Sequence, residues 1–296
     1  MNGSNYIYLE TYSLTKMKNI LLPTDFSKNS LNAINFAIKL FEHTPCNFYL
    51  LNVQKASSFI SDDMMAVSTS ATIYNTLVDA AKKSIANIIT HIEKKSKNEK
   101  HSFYSSVDYD NFVDSINQIC EKHHVDFIVM GTKGASGLEK VIFGSNTVHV
   151  IQRCKTPVLA IPDGCKYKGL DSIAFTSSFS SSYNMKDLEP LKELVVSNNS
   201  NLKVIHVVEE NNIAENISQN MDFFNANFKE VEYNRITSDD KNVYNNIHNY
   251  TVNNNIKMIA MLSKNHTFLE RLFSRHSVET FAFKIDIPFL VMKKSD

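Results

Sequence analysis

VDFIVMGTKGASGLEKVIFGS, residues 125–145, opens on the apolar run Phe127-Ile128-Val129-Met130. A short run of this kind, with no polar alternation, reads as a strand buried on both faces. Gly131, Gly134 and Gly137 follow it, then Gly144-Ser145, and Thr147-Val148-His149-Val150-Ile151 leads into a short helix. Strand, glycine-rich turn and helix start in this order make an anion site. Glycine lets the backbone bend with positive φ and approach a ligand closely. The free N–H groups of a helix N-terminus point at what it approaches.

The spacing separates the known phosphate loops. GxxxxGK[ST] is absent, since no Gly-Lys-Ser or Gly-Lys-Thr occurs in the chain, and GxGxxG is absent because two residues separate Gly131 from Gly134. What stands here is G-x2-G-x9-G-S, built from Gly131, Gly134, Gly144 and Ser145. This pattern, directly after a buried strand, resembles the ATP-binding signature of the universal stress protein family.

Outward from the motif, strands and helices alternate. Met17 to Asp25 begins as a first strand, and Leu31, Ile34, Ala37, Ile38 and Phe41 make a helical stripe over Ser30 to Phe41. Phe48 to Val53 reads as a second strand, residues 54–70 as a loop and 71–95 as a long helix ending in lysines. Phe103 to Val107 is a third strand, Val113 to Cys120 lies in a helix, and Pro157 to Ile161 is a fifth strand. Such alternation indicates βαβ units on a parallel sheet, which binds ligands beyond the carboxyl ends of its strands at the switch in strand order.

After the turn-rich Pro162 to Gly169 the pattern repeats. Ser172 to Thr176 parallels Asn19 to Pro23, Leu202 to Val208 parallels the second strand, and Val231 to Ile236 the third. Lys257 to Lys264, Leu269 to Leu272 and Ile287 to Val291 align with the first copy at a constant offset of 131, which sets Pro288 opposite Pro157. An internal duplication accounts for this. The expected architecture is α/β: two tandem doubly wound domains, residues 1–165 and 166–296, each with five parallel strands flanked by helices. The resemblance implies the sheet order 3-2-1-4-5.

The copies differ where the chemistry would be. The offset sets Leu262, Asn265, Phe268 and Arg275 opposite Gly131, Gly134, Gly137 and Gly144, with His276 opposite Ser145; the parallel of Ser172 to Thr176 with Asn19 to Pro23 sets Ser178 opposite Asp25. Every glycine of the cradle is replaced, so the second domain is expected to keep the fold without the nucleotide. Lys264, Arg271, Arg275 and His276 read as a solvated loop in preference to a second anion site.

Carried over from the resemblance, Asp25 and Val53 lie on the adenosine side, Val53 through its backbone, and Met130 and Gly131 line the approach to ribose and phosphate. Gly134, Gly144, Ser145 and Asn146 wrap the phosphates, with Ser145 also placed to cap the helix. The family usually carries a divalent ion, Mg2+ or Mn2+, with the triphosphate, and phosphate and water oxygens suit a hard cation. No protein side chain is assigned to metal. No catalytic residue is assigned either: Lys133 offers a counter-charge and His149 lies nearby, but the motif has no carboxylate or glutamine to orient water. Binding is expected, with slow ATP hydrolysis at most. The resemblance makes the chain a stress-response or signalling module governed by ATP, against the alternative of an interaction scaffold in which nucleotide is structural or absent. It also implies that the two last strands meet within one molecule; homodimerisation and the protein partner stay open.

Composition bounds the rest. Lys plus Arg and Asp plus Glu number 31 each in 296 residues, leaving no net field to attract nucleic acid or an anionic membrane. No apolar run approaches the ~18 residues of a membrane span, and no secretory signal is visible. Four scattered cysteines without a CxxC point to a reducing cytoplasm. Cys120-x2-His123-His124 reads as a helix end and not as a metal fragment, and Lys94-Lys95-Ser96-Lys97 as a solvated helix terminus.

Overall fold

The computed structural model describes residues 16–54, 67–109, 111–132, 144–177, 179, 182–208, 216–237, 243–263 and 286–295. In the first half the elements are β1 (Lys18–Pro23), α1 (Lys28–Leu40), β2 (Cys46–Val53), α2 (Val67–Lys95), β3 (His101–Asp108), α3 (Phe112–His123), β4 (Phe127–Gly131), α4 (Ser145–Arg153) and β5 (Val158–Ile161). The second half follows with β6 (Ser172–Ser177), α5 (Met185–Ser197), β7 (Asn201–Val208), α6 (Ile217–Asn227), β8 (Val231–Thr237), α7 (Val243–Asn253), β9 (Met258–Ser263) and β10 (Phe289–Lys293).

The ten strands form one sheet in the order β3-β2-β1-β4-β5-β10-β9-β6-β7-β8. Each half therefore has its five strands in the order 3-2-1-4-5, all parallel. The seam is the antiparallel pair β5–β10, with Leu290 opposite Leu159. The duplication is visible in the register. Ile128 pairs with Val158 and Gly131 with Ile161; Ile259 pairs with Phe289 and Leu262 with Met292, each shifted by 131.

Sidedness follows from the period of two along each strand. Ile20, Leu22, Phe48, Leu50, Phe127 and Val129 turn to one face with Leu188, Leu191 and Leu194 of α5. Leu21, Leu51, Ile128 and Met130 turn to the other, against Ile116 of α3 and Val150 of α4. β4 is buried along its whole length, as its unbroken apolar run requires. α2 begins four residues before the expected 71, at Val67. α3 ends at His123 with His124 in the left-handed conformation, φ 48°, so Cys120, His123 and His124 are a helix end. Lys94 and Lys95 fill the last turn of α2, where cations suit the dipole.

Candidate functional site

β1 and β4 are hydrogen-bonded neighbours, Ile20 opposite Phe127 and Leu21 opposite Ile128. From β1 the chain crosses to β2 on one side, and it returns to β4 on the other. The switch in strand order, where α/β sheets open a crevice, thus lies between their carboxyl ends. Asp25 stands two residues past β1 and Gly131 ends β4.

The turn after β1 is held by its own side chains. Thr24 is buried; its Oγ1 accepts the Phe26 N–H at 3.0 Å and lies 2.9 Å from Ser30 Oγ. Phe26 adopts φ 64°, and the exposed Asp25 accepts the Ser27 N–H at 3.1 Å. Ser27 then caps α1, accepting from Ser30 N at 3.2 Å. From β2, Asn52 donates to the Thr24 carbonyl at 2.7 Å, which sets the half-buried Val53 beside this turn at the next position of the strand. The same turn recurs after β6: Ser177 Oγ accepts the Phe179 N–H at 3.0 Å, and Phe179 has φ 51°.

Gly131 is buried, and a Cβ on it would stand 2.7 Å from Asn29 Nδ2 of α1. Its φ is not among the positive ones. What Gly131 supplies is close approach of α1 to the strand end, and not the bend expected of it. Thr147 Oγ1 donates to the Gly131 carbonyl at 2.9 Å, tying α4 to β4. Met130 is buried beneath.

α4 corrects two expectations. Gly144, and not Ser145, is the N-cap, with φ −61° and ψ 152° and no side-chain capping bond; Ser145 is the first helical residue and is exposed. An extended φ of this kind is open to any residue, so Gly144 does not supply a left-handed bend. Its own N–H is given to the Thr132 carbonyl. The first-turn N–H groups of Ser145, Asn146 and Thr147 have no carbonyl of their own helix to bond. Asn146 and His149 are exposed on this helix.

Gly134, Gly137 and Lys133 lie outside the described residues, as do Ser178, Lys264, Asn265, Phe268, Arg271, Arg275 and His276 of the second half. Asp25, Val53, Met130, Gly131, Gly144, Ser145 and Asn146 are all at the carboxyl side of the first-half strands. The residues present suit a phosphate group in three respects: a helix N-terminus at the switch point, first-turn N–H groups without an acceptor in their own helix, and the Thr132 hydroxyl. Thr132 is buried and its Oγ1 has no hydrogen-bond partner among the described residues. Neither Thr132 nor the bracing Thr24, Asn29, Asn52 and Thr147 was picked out from sequence, although Thr24 and Thr132 directly adjoin Asp25 and Gly131. Among the described residues no cluster of His, Cys, Asp and Glu is able to hold a metal ion.

The profile of the universal stress protein family matches residues 16–162. Through these residues the chain belongs to the universal stress protein family. Two universal stress proteins of Methanocaldococcus jannaschii are similar to it over about half its length. MJ0531 is 28% identical over 144 residues, 49% of this chain and 81% of that protein. MJ0577 is 26% identical over 157 residues, 49% of this chain and 94% of its own. A universal stress protein of Archaeoglobus fulgidus shares the fold along both halves, with a TM-score of 0.67 and 19% identity over 94% of this chain and 97% of that one.

Proposed function

We propose that the first half binds one ATP in the crevice between β1 and β4, together with Mg2+ or Mn2+ held by phosphate and water oxygens. In this reading Asp25 and the Val53 backbone take the adenosine, and Met130 and Gly131 line the approach. Gly134, Gly144, Ser145 and Asn146 surround the phosphates. The observation that carries the proposal is the adjacency of β1 and β4, with a G-x2-G-x9-G-S loop running from one strand's end into the N-terminus of α4. The domain boundary is placed at residues 165/166, inside the linker, and the second domain is read as nucleotide-free. The chain then works as a cytoplasmic stress-response or signalling module whose contacts depend on nucleotide. It is not read as an enzyme.

The scaffold alternative has one observation of its own. Gly131 has a packing role against Asn29 that needs no ligand. Chromatography of the supernatant after denaturing purified protein separates the readings. ATP reading: adenine nucleotide released, close to one per chain, or taken up to that level on incubation with MgATP. No nucleotide in either case leaves the scaffold.

A further inference from the structure

Between α1, the end of α2 and the linker lies a cavity of about 380 Å³. That is within the range of about 300–1,000 Å³ typical of ligand clefts. Its walls come from three places: one face of α1, the last turn of α2, and Lys166-Tyr167 of the linker between the halves. The inner surface is apolar. Phe36, Ile38 and Ile92 are buried there, and the Tyr167 ring meets Phe36 edge-on at 5.5 Å. The rim is cationic. Lys39, Lys95 and Lys166 line it, and among the described residues no carboxylate does. Lys39 is partly neutralised by Glu42 at 3.0 Å, whereas Lys95 and Lys166 have no ion-pair partner among the described residues. Each of the two nearby amides gives an N–H to a backbone carbonyl: Asn32 to Cys165 at 2.9 Å and Asn35 to Leu31 at 2.8 Å. The charged donors toward a ligand's acidic group are the lysines.

An apolar interior with two uncompensated ammonium groups at its mouth selects an amphipathic anion. We propose that this cavity is a second ligand site, taking a small aromatic monoanion whose ring lies against Phe36, Ile92 and Tyr167 and whose acidic group sits between Lys95 and Lys166. The location gives the site a consequence. Tyr167 also donates to Asn198 Oδ1, at the end of α5, at 2.9 Å. A ligand here touches the first half and the linker at once, and through Tyr167 bears on the second half.

The test uses the whole chain saturated with MgATP and two probes of similar shape, anionic anilinonaphthalenesulfonate and neutral phenylnaphthylamine, titrated by calorimetry. The sulfonate is expected to bind one saturable site per chain. Lys95→Glu with Lys166→Glu should weaken it roughly tenfold, the scale of two exposed ion pairs reversed, and leave the neutral probe unchanged. Asn35→Trp, on an exposed helix position, should fill the cavity and remove both probes. All three changed positions are exposed or on the rim, so melting temperatures near wild type are expected and serve as the folding control. No saturable sulfonate binding overturns the site. So does equal weakening of both probes by the lysine variant, or insensitivity to Asn35→Trp.

Discussion

Lys18 Nζ lies 2.5 Å from Glu193 Oε1, joining the first strand of one half to the first helix of the other. The Lys18 side chain is buried and that of Glu193 is only 10% exposed, and Asp126 Oδ1 stands 3.6 Å from the same ammonium. Asp126 is fixed in turn by the Asn19 N–H at 2.8 Å. Two carboxylates share one cation. Burial pushes the Glu193 carboxyl above its ordinary range, the Lys18 ammonium partly offsets this, and Asp126 adds to it. Burial works against the Lys18 charge, but the hydrogen bond and charge of Glu193, with Asp126, outweigh it and hold its pKa above the usual lysine value.

Removing one partner of a buried pair leaves the other uncompensated, at a cost of about 3–5 kcal/mol. Glu193→Ala is expected to cost less, about 2–3 kcal/mol, because Asp126 remains beside Lys18. The pH dependence has a definite sign. A carboxyl raised in the folded state favours folding when protonated, so its contribution is full below its unfolded value and is lost as pH rises through the folded one. Wild type should therefore gain on Glu193→Gln as pH falls from neutral toward 4.5, the ordinary carboxyl value. The Lys18 contribution is lost only above 10.5. Urea unfolding of both proteins from pH 5 to 8 measures the gap, and a gap that closes on acidification contradicts the assignment.

Gly131 and Asn29 give a second test. A methyl at Gly131 meets the Asn29 amide at 2.7 Å and must displace a buried side chain. Overpacking of this kind costs about 1–3 kcal/mol. Gly131→Ala should fall in that range, and in an Asn29→Ala background most of the loss should disappear. Additive costs in this double-mutant cycle would mean that the glycine answers to something other than α1.

The strands were readable because buried parallel strands are unbroken apolar runs: Phe127 to Met130 needs no partner to be recognised, whereas their order came only from the family resemblance. The repeat was readable because β4 and β5 kept their spacing in β9 and β10. The Lys18–Glu193 pair was not, since nothing local marks either residue and the contact exists only once two α/β units abut. Ser145 was misplaced by one position for a different reason. Serine is a strong cap, but the backbone turns at Gly144, whose N–H is drawn to Thr132. Likewise Gly131 was read for a bend and for close approach to a ligand, whereas the structure shows no positive φ there and sets its missing side chain against Asn29. Of the eight residues named for the nucleotide site, Gly134 lies outside the described residues.

The β5–β10 seam is expected to close within one chain. Leu159 and Leu290 are directly opposed, and antiparallel partners lie about 4.5–5.5 Å apart at Cα, within disulfide reach. Leu159→Cys with Leu290→Cys, oxidised at low protein concentration, should yield a crosslinked species that runs as a monomer on a non-reducing gel. The native thiols compete weakly, as burial pushes Cys120 up to about 11 and Cys154 up to about 12. Crosslinked dimers alone would place the seam between molecules.

Nucleotide binding should be visible as thermal stabilisation. At an ATP concentration 100-fold above the dissociation constant, linkage gives about 2.7 kcal/mol. Gly144→Asp is an informative variant because its effects on fold and ligand are opposed. The backbone at φ −61° accepts aspartate, and aspartate at an N-cap supports the helix. The carboxylate would nevertheless repel a phosphate at the α4 N-terminus. The variant should melt at or slightly above wild type without ligand and show no shift with MgATP. A wild-type curve unmoved by millimolar MgATP would count against the site.

The stoichiometry should be one ATP per chain, bound in residues 17–162. Both halves carry the strand, the switch point and the hydroxyl-braced turn, Thr24 with Phe26 and Ser177 with Phe179. They part at the next step. The half-buried Leu262 occupies in β9 the register position of Gly131 in β4, and the sequence then sets Asn265, Phe268 and Arg275 opposite glycines. Side chains there would fill the space through which phosphate reaches backbone N–H groups. Leu262→Gly by itself should not create a site, since the other three positions and the Asp25 counterpart, Ser178, stay unchanged. Calorimetric titration of the intact chain with MgATP, and of the same chain carrying Gly144→Asp, measures this directly. A stoichiometry near one that falls to zero in the variant places all binding in the first half; two sites in wild type, or one surviving in the variant, would show that the second half has kept a nucleotide site without its glycines.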